Sequence, residues 1–325
     1  MKGINQFTIT ILFMLSASCL FSQNVTVGDS TYATLKEAFD DINTGAHTGS
    51  IIVYIDSNTT ETATAELYES GYGAASYVSV LIKPRTAAVT VSGAIPGALV
   101  KLSATDSVTI DGRIDGEGRN LSFKNKIDTT IHSAVIWISD RNISVFPEVI
   151  SGAHRNTIRN CNISGDVNQS VKIRGIYGIV FSGLSMAVGL SSTEGKDNDN
   201  NKILENYIYK SYYGIIISGS SVNLNDSNLI TNNLIGSDSF NSDRISGPGI
   251  FVEYQNKCVI ESNEVRFIGR MTSDPVTGIS EKIGISVGTP FWHVGISKTF
   301  GTNNVISGKY VHDILDEPGS SSAVG

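Results

Sequence analysis

Two apolar residues five positions apart, set among asparagines, form a phrase that recurs through the second half of the chain. It reads Asn156-Thr-Ile158-Arg-Asn-Cys161-Asn-Ile163, then Asn201-Lys-Ile203-Leu-Glu-Asn206-Tyr-Ile208, then Asn228-Leu-Ile230-Thr-Asn-Asn233-Leu-Ile235. Looser copies follow at Cys258-Val-Ile260-Glu-Ser-Asn263-Glu-Val265 and Asn304-Val-Ile306-Ser-Gly-Lys309-Tyr-Val311. Internal repetition of this kind marks a stacked unit that cannot bury its apolar side alone.

Most copies follow an alternating apolar run. Tyr177-Gly-Ile-Val-Phe-Ser-Gly183 and Tyr213-Gly-Ile-Ile-Ile-Ser-Gly219 are near-identical openings, and Gly249-Ile-Phe-Val252 and Gly284-Ile-Ser-Val287 continue the series. Earlier sets group in the same way: Leu99 to Leu102, Val108 to Ile110 and Leu121 to Phe123, then Ala134 to Ile138, Thr157-Ile158 and Asn162-Ile163. Three short strands per unit, separated by Asn and Gly corners, predict a coil in which each turn pairs with the turns above and below. Asn at the corners is expected to tolerate left-handed backbone, with Asn206, Asn233 and Asn263 stacked as a ladder. Longer gaps at 140–155, 189–201, 236–247, 269–282 and 289–302 read as loops projecting from the corners, the side on which repeat proteins often bind.

The first part of the chain reads differently. Leu35, Ala38, Phe39 and Ile42 share one face of a helix ended by Asn43 to Gly45, placed to cover the first open turn. Strands are predicted at Ser50 to Ile55, Tyr77 to Ile82 and Val89 to Val91. Lys2, the apolar run Phe7 to Leu20 and Ser22-Gln23 form an export signal, too short for a membrane anchor. Cys19 in Leu15-Ser-Ala-Ser-Cys19 matches a lipoprotein box only loosely. The expected organisation is therefore a signal peptide over 1–22, a cap with the amphipathic helix over 23–50, and the coil over 51–325. Ser321-Ser-Ala-Val-Gly325 restarts the pattern of Ser133-Ala-Val135, so the coil is expected to be truncated at its C-terminus.

Composition narrows the function. With 24 basic and 31 acidic residues and no basic stripe, nucleic-acid binding is excluded as an expectation. No later segment is apolar enough to span a membrane. Cys161 and Cys258 fall at different positions of the phrase, about 14 Å apart along a stack of strands, and are expected to stay unbridged as packing residues.

With these residues in view, the chain resembles the right-handed parallel β-helix, or pectin-lyase-like, family. The resemblance rests on the Gly-Ile-x-Val openings, the Asn-x-Ile…Asn-x-Ile strands and Ser107-Val-Thr-Ile-Asp-Gly112. Tyr32 to Phe39 and Gly73 to Tyr77 are similar to the N-terminal region of large surface proteins exported by the type IX route. The fold class implied is all-β, a parallel β-helix solenoid with a short N-terminal capping helix. The family includes lyases, hydrolases, epimerases, tailspikes and adhesins, so the fold leaves activity open.

Lyases of this family hold Ca²⁺ on carboxylates and use an Arg or Lys base. The best such set here is Asp111, Asp115, Glu117 and Arg119, although a Gly-rich corner with solvated charges is the simpler reading. The family's hydrolase motifs are absent, and Val171-Lys-Ile-Arg174 reverses the order of one of them. Asp197 and Asp199 offer oxygens for Ca²⁺, the one cofactor considered, but lack an EF-hand frame. His47, His132, His154, His293 and His312 show no zinc spacing, and Ser182 lacks a nucleophile elbow. Tyr209, Tyr212, Tyr213 and Trp292 are candidates for stacking on sugar rings, or for covering the shoulders of the coil. The expectation is a secreted or outer-surface module, non-catalytic, for adhesion or recognition of extracellular glycans or cell-surface components. A polysaccharide lyase or glycoside hydrolase is the alternative.

Overall fold

A computed structural model describes residues 22–128, 132–145, 148–165, 175–186, 197–239, 243–269, 283–288 and 301–314. The export segment, Trp292 and the closing 321–325 stretch lie outside these residues. The chain winds through three sheets in turn. Among the described residues sheet A carries nine strands, sheet B eight and sheet C seven, every pair in them parallel. A typical turn runs from Tyr213–Ser218 in sheet C to Leu229–Thr231 in sheet A and Leu234–Gly236 in sheet B.

The recurring phrase is the signature of two columns of stacked side chains. In sheet A, Ile110, Ile158, Ile203, Ile230, Ile260 and Ile306 pair in succession. In sheet B, Phe123, Ile163, Ile208, Ile235, Val265 and Val311 do the same. Sheet C supplies the third wall with Leu67, Leu102, Ile138, Phe181, Ile217 and Val252. Each fully buried member contributes about 1.5–3 kcal/mol. The glycine that opens the sheet C strands has a steric reason. A Cβ on Gly214 would lie 2.3 Å from the Gly249 carbonyl oxygen and 2.7 Å from the Ile235 side chain.

The later sheet A strands are short because a left-handed residue bounds them on both sides. Asn200, Ser227, Lys257 and Asn303 precede them, and Glu205, Asn232, Ser262 and Gly308 follow, all with φ of 54–56°. The corner asparagines that take up the left-handed backbone are Asn160, Asn200, Asn232 and Asn303, with φ of 51–56°, and the ladder asparagines each sit one position after a left-handed residue. Their amides do stack as anticipated. Asn233 Oδ1 accepts from Asn206 N at 3.0 Å and Nδ2 at 3.1 Å, while Asn233 Nδ2 donates to Asn263 Oδ1 at 2.9 Å and to the Ile203 carbonyl at 2.9 Å. A second ladder runs along the other corner through Asn156, Asn201 and Asn228. Cys161 occupies a slot of the first ladder and donates its backbone N–H to Asn206 Oδ1 at 3.0 Å. Cys258 occupies a slot of the second, where Gln255 Oε1 accepts from Asn228 Nδ2 instead. Both thiols are buried and free, and burial raises both pKa values, that of Cys258 to about 12.

The helix Leu35–Asn43, α1, covers the first turn by burying Leu35, Ala38, Phe39 and Ile42. A Thr34–Glu37 capping box starts it, and the buried Glu61 accepts from the amides of Leu35 and Lys36 at 3.0 Å each. The coil begins inside the expected cap, since Gln23–Val27 already pairs with Thr48–Ile55. The gap at 140–155 holds an antiparallel hairpin, Arg141–Val145 with Glu148–Ser151. Among the described residues no helix is long and apolar enough to cross a membrane.

Replacing Asn233 with Leu keeps the branched skeleton but strips partners from Asn206, Asn263 and the Ile203 carbonyl. The expected loss is about 3 kcal/mol, read as a lower urea midpoint. An unchanged midpoint would show that the ladder does not hold the corner.

Candidate functional site

The predicted carboxylate set is not assembled. Asp111 ends a sheet A strand and pairs in register with Arg159 on the next turn. Its carboxylate accepts from Arg113 Nε and Nη2 at 2.9 Å each, from Arg159 Nε at 2.9 Å, and forms a 2.7 Å ion pair with Arg159 Nη2. Burial alone would raise its pKa, but the Arg113 hydrogen bonds and the Arg159 and Arg113 charges outweigh that and lower it. Asp115, Glu117 and Arg119 are exposed on a tight turn closed by reciprocal bonds between Ile114 and Glu117. Arg119 Nε donates to the Glu205 carbonyl at 2.7 Å. Among the described residues no group of three or more His, Cys, Asp or Glu side chains is placed to hold a metal ion.

The tyrosines divide. Tyr212 and Tyr213 are 2% and 4% exposed, so the expectation that they face a ligand is corrected. Their rings stack on each other at 4.5 Å, and Tyr213 stacks on Tyr177 at 5.5 Å, inside a layer whose burial withdraws them from a ligand. They belong to a second apolar cluster on the outer side of sheet C, with Trp137, Val180, Ile216 and Phe251. Tyr209 stays half-buried on the outer side of sheet B, stacked on Tyr207 at 4.5 Å and 18°. The row of Tyr207 runs through Asn162, Leu234, Glu264 and Tyr310, the last 61% exposed. Arg266 beside it is paired with Glu264 and Asp238.

Asp197 and Asp199 lie on a short polar corner. Asp199 accepts from the Asp226 amide at 2.6 Å, and Asp226 accepts from Asn256 Nδ2 at 2.7 Å. Burial, together with the Asp197 and Asp226 charges, pushes Asp199 up to about 7 even though the Asp226 amide pulls it back.

One polar cleft was not visible in the sequence. It holds about 220 Å³ at the corner between sheets C and A and is walled by Glu69, Tyr77, Val78, Asp106, Ser151 and His154. Burial raises the Glu69 carboxyl above its usual range, although Ser151, Arg141 and His154 act in the opposite direction. The Arg141 guanidinium lies between Tyr68 and Tyr72, 3.8 Å from each ring centre, and ties the hairpin to sheet C. These residues come from three separate turns, and the hairpin hides the common position after each sheet C strand.

No protein-family model and no curated protein sequence matches the chain. Solved structures do. The Dettilon tailspike protein is similar with a TM-score of 0.52 at 13% identity, over 92% of this chain and 48% of that one. This chain is a right-handed parallel β-helix. The β-helix is also similar to a pectate lyase from Bacillus sp. N165 (TM-score 0.37, 11% identity, 93% and 86% of the two chains). A pectin methylesterase from Aspergillus niger is similar too, with a TM-score of 0.35 at 13% identity over 93% and 90%. The β-helix spans about half the length of the tailspike. At such identities these likenesses concern the fold alone.

Asp199 makes the stability of the β-helix depend on pH. In the fold it keeps its proton up to about pH 7, whereas its ordinary value is 3.8. Between those values the folded state binds the extra proton, so this contribution is complete below the ordinary value and is lost as pH rises toward 7. Asp199→Asn should raise the thermal midpoint at pH 8 and flatten its fall from pH 5 to pH 8. Parallel pH profiles for variant and parent would rule out this residue as the cause.

Proposed function

We propose that this chain is an exported, non-catalytic recognition module that holds extracellular glycans along the outer face of sheet B. The observation that carries this reading is the half-buried, stacked Tyr207–Tyr209 pair, in line with the exposed Tyr310. Successive strands are about 4.8 Å apart, which puts Tyr207 and Tyr310, three strands apart in one row, about 14 Å from each other. Aromatic faces at such intervals suit the apolar faces of a linear glycan. The nearby ionic groups are already paired, Arg266 with Glu264 and Asp238, and Lys210 with Asp243. That balance favours a neutral polymer over an acidic one. The N-terminal sequence pattern supports export, and a tailspike is among the proteins that share the fold.

Polysaccharide cleavage is the competing reading. The pairing of Asp111 with two arginines weighs against the set first expected to carry it, while the Glu69 carboxyl, raised by burial beside His154, is the observation that favours it.

Incubation with neutral and acidic polysaccharides, with and without Ca²⁺, separates the readings. Retention of a neutral polymer without unsaturated products or new reducing ends is expected, with Tyr209→Ala weakening it about tenfold. Cleavage abolished by Glu69→Gln or Asp115→Ala would overturn the non-catalytic reading.

A further inference from the structure

The cleft between sheets C and A has the makings of a binding site separate from the sheet B strip. Glu69 follows the strand Ala65–Tyr68, Asp106 follows Ala98–Ser103, and Ser151 and His154 close the hairpin, so three consecutive turns contribute. Most of the polar groups lining it are already engaged. Tyr77 Oη donates to the Tyr68 carbonyl at 2.5 Å, Asp106 pairs with Arg155 and accepts from Ser107, and the Ser151 hydroxyl bonds to Glu69.

Two groups remain open. Glu69 Oε1 is buried without a hydrogen-bond partner, and the His154 ring makes no hydrogen bond among the described residues. A buried oxygen without a partner is unfavourable, and a small rotation of the Glu69 carboxylate, which lines the cleft, would let a ligand hydroxyl satisfy it. Val78, 67% exposed at the rim, adds an apolar edge beside these polar groups. The volume of about 220 Å³ is that of roughly seven waters, enough for one six-membered ring and too little for an extended oligomer. A metal ion is a poor fit, since the carboxylates and His154 do not form a ligand group.

We propose that this cleft binds one neutral, polyhydroxylated ring, a single sugar residue, with Glu69 and His154 bonding its hydroxyls and Val78 lying against its apolar face. The inference shares with the preceding reading only the premise that the ligand is carbohydrate; it uses a different surface and different residues.

The test is titration of the full chain, followed by saturation-transfer NMR, with the methyl glycosides of glucose, galactose, mannose and N-acetylglucosamine. Neutral polysaccharide and Ca²⁺ or Zn²⁺ alone form parallel arms. Saturable binding of at least one methyl glycoside is expected, weakened about tenfold or more by His154→Ala and by Val78→Asp. Val78 is exposed enough that its replacement leaves the fold intact, and an unchanged thermal midpoint confirms this. Tyr209→Ala should leave methyl glycoside binding unchanged, whatever it does to polymer retention, so failure of the strip and failure of the cleft are separable. Tighter binding of a polymer's end than of any free glycoside, still lost in Val78→Asp, would identify a chain terminus as the source. The proposal is overturned if no glycoside saturates the protein, if both variants bind like the parent, or if only the metal ions bind.

Discussion

The amide ladders at the corners are the constraint on which the rest of this structure depends. A parallel coil must turn its chain sharply twice around each sheet A strand, and each turn removes backbone groups from the strand ladders. Those groups are buried, so they need partners. Asn206, Asn233 and Asn263 supply them by bonding to the turn below, their Oδ1 atoms accepting from its backbone amides and their Nδ2 atoms donating to its carbonyls. With the corners fixed, the register of all three sheets follows, and with it the apolar columns that fill the interior. Where cysteine replaces asparagine, as at Cys161 and Cys258, a neighbouring amide side chain keeps the backbone satisfied.

Much of this was legible because each turn repeats the same physical problem. The five-residue spacing from Ile203 to Ile208 marks two inward positions on either side of a corner, and the asparagine between them marks the ladder. The left-handed positions were harder to read. Asn160, Asn200, Asn232 and Asn303 occupy some of them, but Glu205, Ser262 and Lys257 occupy others, residues with no intrinsic preference for positive φ, held there by the turns above and below. Side-chain partners far apart in sequence were also hidden. Asp111 looks like a free acid in its own segment, and only the stacking of the next turn brings Arg159 against it. Tyr212 and Tyr213 failed as candidates for a related reason. Tyr213 points outward from sheet C, but stacking on Tyr177 and Tyr212 buries that outer layer.

Recognition on such a wall depends on where the regular pattern is interrupted or decorated. Sheet B is decorated: three of its outward positions carry Tyr207, Tyr209 and Tyr310, and neighbouring charges neutralise one another. The corner after sheet C is interrupted: the hairpin 141–151 displaces the chain, leaving a cleft in which Glu69 and His154 are not fully engaged. A strip and a small cleft make different demands on a ligand, one matching the repeat of a linear polymer and the other the size of a single ring.

Hydrogen–deuterium exchange of the full chain, read by mass spectrometry, tests most directly whether the ladders hold the fold. Amides in 201–208, 228–235 and 258–265 should exchange slowly and to a similar extent, while those in 301–314, where Ile306 is 39% exposed, should exchange faster. Fast exchange across 228–235, at the centre of both ladders, would contradict it.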